Sequence, residues 1–210
     1  MADRRLDLIK HHLTSGEQAP GVISKYFPNT GVKHFSFNNP KRVNSMTGEG
    51  LRTLTTETPI FQQDPDQKVL LYSGQGSHFC AGADLSETYG LTPEGQTARS
   101  YLAYSLSLMN TQITKPFISL WKGIVMGGGW AVTQGAHFKV VSESVVMAMP
   151  ECRIGAVPDM GAAKYLQRSK NIDGLQFALC VGLTGMTLSY VDAVYTGMAD
   201  LFIPEKDFAE

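Results

Sequence analysis

The sequence predicts an α/β domain with mostly parallel strand pairing, on three observations. Short apolar runs bounded by turn residues alternate with longer segments of helical periodicity. Glycine-containing loops follow several of those runs, and in alternating folds ligand sites gather at such loops. The chain has 210 residues, 43% apolar, 10% aromatic and 18% charged, enough for one hydrophobic core and far from the composition of a disordered or fibrous protein.

Residues 1–30 mix charges with His11, His12, Pro20 and Pro28 around a weak stripe of Leu6, Ile9 and Leu13, which reads as an N-terminal extension: a short helix, then irregular chain. The main domain is expected over 31–210. Val32, Phe35 and Phe37 mark a strand over 31–37 that Asn39-Pro40 ends, and a helix follows near 47–54. Residues 68–73 are a buried strand. Thr92-Pro93 supplies an N-cap with proline at the first helical position, opening a helix whose inner face carries Leu102, Leu106 and Met109. A strand over 117–125, a helix over 130–136, and strands over 138–141 and 145–148 come next. Helices near 161–168, 172–182 and 189–197 precede a last strand over 200–203.

Several function classes drop out. Eighteen Lys and Arg against nineteen Asp and Glu leave a formal charge of −1, so no global basic field favours nucleic acid or anionic lipid. The most apolar stretch, 117–132, is interrupted by Lys122 and three glycines and falls short of the roughly 20 residues that cross a bilayer. Cys80, Cys152 and Cys180 form no C-x-x-C pair and leave one over from any disulfide scheme, which fits a reducing compartment. Residues 1–13 carry Asp3 and Asp7 among their basic residues and no apolar core, unlike a secretory signal and unlike a good transit peptide. The histidines show no ligand spacing, so no metal site is expected. There is no phosphate loop, no H-E-x-x-H helix and no G-x-S-x-G elbow, and Gly74-Gln75-Gly76 lacks the third glycine of a dinucleotide fingerprint, Phe79 standing in its place.

Two loops and one acidic segment remain. In Phe79-Cys80-Ala81-Gly82-Ala83-Asp84, small residues flank a glycine after a buried strand and let a ligand approach the backbone. Gly127-Gly128-Gly129 opens a helix with unsatisfied N–H donors. Two such donors aimed at one carbonyl oxygen form an oxyanion hole, each worth on the order of 3 kcal/mol in the transition state; glycine clusters equally serve tight turns and close packing. Glu151 and Asp159 stand eight apart in an apolar segment broken by Gly155 and Pro158, where the acids can converge across a loop and take distinct protonation roles. Either can also be a capping group or a surface partner of Arg153.

These three segments, in this order, resemble the crotonase (enoyl-CoA hydratase/isomerase) superfamily from Phe37-Asn38-Asn39-Pro40-Lys41-Arg42-Val43-Asn44 to Asp200-Leu201-Phe202-Ile203-Pro204. The resemblance implies a crotonase-like spiral of β-β-α units. It implies that the backbone N–H groups of Ala83 and Gly128 receive an acyl-CoA thioester oxygen, with Lys41, Arg42, Ala81 and Asp84 near the CoA moiety. Hydratases of the superfamily carry a glutamate two residues after the glycine run, and Ala131 stands there; their second glutamate matches Glu151. Met149-Pro150-Glu151 followed by Pro158-Asp159-Met160-Gly161 is similar to the 3-hydroxyisobutyryl-CoA hydrolase branch.

That branch implies hydrolysis of a short-chain 3-hydroxyacyl-CoA of valine catabolism, with Glu151 as nucleophile or base and Asp159 on the substrate hydroxyl. No cofactor is needed, since CoA is part of the substrate. A mitochondrial address in a eukaryote, otherwise a cytoplasmic one, also comes from the resemblance alone. Family members continue past the position of Glu210 with helices that close the acyl pocket and in many cases build trimers or hexamers; the sequence is expected to have this helical part truncated. The competing expectations are an isomerase or hydratase working with Glu151 alone, and a non-catalytic acyl-CoA-binding or assembly subunit.

Overall fold

The computed structural model describes residues 21–209. The helix expected near the N-terminus lies outside the described residues. Strand β1 (Val22–Phe27) pairs antiparallel with β2 (Val32–Phe37) through a tight turn, so the irregular chain expected before residue 31 is instead the edge of a sheet. The apolar residues of β1, Val22, Ile23, Tyr26 and Phe27, fall in adjacent pairs instead of alternating, and prolines flank them at 20 and 28, so the segment carries no clear strand signal. Next, β3 (Val69–Gly74), β4 (Phe117–Trp121), β6 (Phe138–Val141) and β9 (Leu201–Phe202) add in parallel, giving the order β1-β2-β3-β4-β6-β9. A second sheet joins β5 (Ile124–Met126), β7 (Val146–Ala148) and β8 (Thr187–Ser189), parallel between β5 and β7 and antiparallel between β7 and β8.

The strand expected over 117–125 is thus two strands in two sheets. The chain bends at Gly123, whose φ of +53° suits glycine and whose position leaves no room for a side chain beside Ser77 O. The same move, from large sheet to small sheet to helix, recurs in β4-β5-α4 and β6-β7-α5, where α4 is Gly128–Ala131 and α5 is Ala162–Leu166. This is the expected α/β spiral of β-β-α units.

Helix α1 (Gly48–Gln63) begins at Thr47, whose hydroxyl accepts from Gly50 N at 3.1 Å, and runs well past the expected end near 54. Its threonines and Pro59 weaken the local helical signal, but burial of Leu51, Leu54 and Phe61 carries it on. Asp84 caps the short α2 (Leu85–Gly90), which the sequence reading left unassigned along with β8. Helix α3 (Pro93–Thr111) opens on the Thr92 cap as expected and packs against α1. The helix expected over 130–136 is only the single turn of α4, continued by turns to Gly135. Helices α6 (Gly174–Thr184) and α7 (Tyr190–Tyr195) complete the order near their expected places. No helix among the described residues is long and apolar enough to cross a membrane.

The core under the large sheet is aromatic. Phe35, Phe37, Tyr72, Phe79, Phe117 and Trp121 are fully buried, and Tyr72 meets Phe35 and Phe117 edge-on at centroid distances of 5.5 and 4.8 Å. This packing lies against β3 and β4, from which the chain continues to the two glycine loops, to the second by way of β5.

Candidate active site

The first wall of the site is main chain. Phe79 N and Cys80 N donate to Lys122 O and Ile124 O at 2.8 and 3.0 Å, and Met126 N returns a bond to Cys80 O at 3.0 Å, zipping the loop onto β5. On its other side Met46 forms a parallel bridge with Ala83: Met46 N donates to Gly82 O at 2.7 Å and Met46 O accepts from Asp84 N at 3.0 Å. A parallel bridge uses the groups flanking Ala83 and turns Ala83's own N–H away. That N–H has no acceptor among the described residues.

Gly127 N donates to Ala148 O at 3.1 Å, and the chain then turns through φ +52° at Gly127 into α4. Gly128 N therefore sits at the first helical position, where no intrahelical acceptor exists, and it too has none among the described residues. The two loops touch. A methyl group built on Gly82 would lie 3.2 Å from Gly128 N and 3.0 Å from Met126 O.

The second wall is side chain. Ala83, Gly128, Glu151 and Asp159 line one cleft of about 430 Å³, with Ala81, Gly82 and Gly127 among its other lining residues. Glu151 opens a 3₁₀ turn (Glu151–Ile154) directly after β7. Its Oε1 lies over Gly127, where an added methyl would stand 2.7 Å away, and its Oε2 is buried without a partner. Burial pushes the Glu151 carboxyl above the ordinary range, its own backbone N–H pulls part of the way back, and Asp159 adds to the rise. Asp159 is exposed, and its Oδ2 accepts from Tyr104 Oη on α3 at 2.7 Å. That bond, with burial, pushes the Tyr104 phenol up to about 12, so Tyr104 remains a donor.

The residues expected near CoA divide. Ala81 lines the cleft. Lys41 and Arg42 lie exposed on the 3₁₀ turn Pro40–Arg42. Asp84 is turned inward: it accepts from Glu87 N at 3.2 Å as the α2 cap and from Ser45 Oγ at 3.2 Å, and pairs with Arg42 at 3.2 Å. It does not line the cleft, because capping and pairing occupy its carboxylate. Ala131 is buried in α4 and brings no second acid to the cleft. Sequence reasoning did not single out Tyr104 or Arg99. Both line the cleft from α3, and the signal available was a polar strip of Arg99, Ser100 and Tyr104 beside the apolar face of that helix.

The cleft brings together two main-chain amides that have no acceptor among the described residues and the half-buried carboxyl group of Glu151. The profile of the family described as Enoyl-CoA hydratase/isomerase matches residues 32–210, and the chain belongs to that family. A probable 3-hydroxyisobutyryl-CoA hydrolase 2 of Arabidopsis thaliana is 31% identical over 179 residues, covering 83% of this chain and 46% of its own. The mitochondrial 3-hydroxyisobutyryl-CoA hydrolase of Homo sapiens is 30% identical, covering 99% of this chain and 54% of its own. The chain spans about half the length of these curated relatives. Among solved structures, a carnitinyl-CoA dehydratase from Mycobacterium thermoresistibile superposes with a TM-score of 0.81 at 29% identity, covering 91% of this chain and 56% of its own. An enoyl-CoA hydratase from Rhodobacter sphaeroides superposes with a TM-score of 0.80 at 28% identity, covering 90% and 56%.

Proposed function

We propose that this cleft hydrolyses a short-chain 3-hydroxyacyl-CoA thioester of the 3-hydroxyisobutyryl type. One observation carries the reading: Glu151 brings an unpartnered carboxyl oxygen to the same cleft as two unpartnered amides, while Ala131 stands where a hydratase needs its other acid. The thioester oxygen accepts from Ala83 N–H and Gly128 N–H, and the negative charge that grows on it is met by dipoles already in place. Glu151 either takes a proton from the water that adds to the acyl carbon, or adds to that carbon itself to form a mixed anhydride that water then cleaves; in both routes the C–S bond breaks and the departing sulfur takes up a proton to leave as the CoA thiol. Asp159, held by Tyr104, accepts the hydrogen bond of the substrate's 3-hydroxyl. The hydrolase names of the curated relatives support the same reading.

A second reading, isomerisation or hydration of an unsaturated acyl-CoA by Glu151 alone, is favoured by the names of the solved neighbours. Product analysis separates the two. On a panel of acyl-CoA esters, the hydrolase reading expects thiol release that is fastest with 3-hydroxyacyl groups and falls about 10³-fold in Glu151→Gln. Rearranged or hydrated thioester without free thiol would establish the second reading, and binding without turnover across the panel would establish a non-catalytic subunit.

A further inference from the structure

Arg99 is the one cation among the described residues lining the cleft, and the hydrolytic scheme does not use it. The residue is 8% exposed. Of its guanidinium nitrogens only Nη2 has an acceptor among the described residues, the Met46 carbonyl at 2.5 Å, and Nε is buried without one. No ion pair closes on it among the described residues. The acidic charges that reach it are Glu87 and Asp84. Both are engaged elsewhere, Glu87 on Gly48 N at 2.8 Å and Asp84 on Arg42 and the α2 cap. The charge felt by Glu151 is that of Asp159 and not that of Arg99. A guanidinium keeps its proton at any working pH, and burying it short of acceptors is unfavourable until a ligand supplies them.

We propose that Arg99 receives a carboxylate carried by the acyl group, so that the preferred substrates are mono-CoA thioesters of short dicarboxylic acids, the 3-hydroxylated ones included. The proposal rests on the acyl-thioester reading of the cleft and narrows it. The planar fork of donors matches a carboxylate. The placement suits a chain of a few carbons. Met46, which Arg99 holds, is the residue bridged to Ala83, so the cation lies close to the amide that would grip the thioester oxygen. Along α3, Arg99 and Tyr104 are separated by about 7.5 Å of helix rise, so an extended acyl group meets the Tyr104–Asp159 pair and the guanidinium at different points.

Calorimetry with non-hydrolysable CoA thioethers tests this without requiring turnover. The probes are a glutaryl thioether and its neutral ω-amide. The carboxylate probe is expected to bind at least about tenfold more tightly than the amide, a charge-assisted hydrogen bond's worth. Arg99→Gln is expected to abolish that preference, bringing the two probes within about twofold of each other, while Arg99→Lys keeps part of the preference. Equal affinity for the two probes in the parent overturns the proposal, whether or not the variants fold. So does an equal loss of both probes in Arg99→Gln, which makes Arg99 a tether of Met46 alone. Failure of both probes to bind the parent overturns the acyl-CoA reading itself, and this proposal with it.

Discussion

The two walls of the cleft are built on opposite principles. The wall of Ala83 and Gly128 is main chain, zipped onto β5 and Met46 by backbone hydrogen bonds and backed by fully buried Phe79 and Cys80. The wall of Glu151 and Asp159 is side chain, on a stretch whose residues from 153 to 157 are exposed and whose only regular piece is one 3₁₀ turn. The difference teaches where each half of the chemistry is decided. On the proposed reading, gripping an acyl oxygen is fixed by the fold, through main-chain donors whose loops are held by backbone hydrogen bonds, and choosing what happens to the acyl carbon is left to a few side chains that packing constrains much less.

The strongest challenge to that contrast is a methyl group at Gly129. It would lie 2.5 Å from Cys80 O and 2.8 Å from Cys80 Sγ. Gly129→Ala is expected to cost about 3 kcal/mol in denaturant unfolding and to remove thiol release; an unchanged unfolding midpoint would show slack in the main-chain wall.

The next effect comes from the other wall. The folded-state pKa of Glu151 stands above its unfolded value, through burial first and Asp159 after it. Folding therefore favours the protonated acid. The associated stability is fully present below the unfolded carboxyl pKa and is lost as pH rises through Glu151's raised pKa. Glu151→Gln is expected to melt at a higher temperature than the parent at neutral pH and at the same temperature well below the carboxylate range. Paired melts at the two pH values check this, and a parent more stable at neutral pH would mean that the carboxylate is better solvated than its burial indicates. For the same reason, the acidic limb of the rate profile in Asp159→Asn is expected to move toward lower pH, with burial still holding it above an ordinary carboxyl; this is read from thiol release against pH. The smallest effect is expected from Tyr104→Phe: stability unchanged, and preference for hydroxylated over unsubstituted acyl groups reduced by about fivefold.

What was legible in the sequence follows the same division. The order of strands and helices and the three segments that meet at the cleft could be read because apolar runs, the Thr92-Pro93 cap and the glycine clusters are local signals. The bend at Gly123 could not, since Lys122-Gly123 is a brief interruption in a mostly apolar run over 117–125 and pairing with different partners divides it. The resemblance alone puts Asp84 near CoA, whereas its engagement by Ser45, Glu87 N and Arg42 depends on tertiary contacts that no local signal shows. Arg99 and Tyr104 escaped because a polar residue on a helix looks solvent-facing until the opposite wall of a cleft is known.

The donor at position 83 has one more property. Every amino acid except proline carries a main-chain N–H. On the proposed reading, alanine there can be exchanged for many other residues and the handle on the thioester survives, whereas one altered codon at Glu151 or Asp159 erases a working group. Lineages descending from such a scaffold inherit the handle nearly for free and diversify by swapping the tool mounted opposite it.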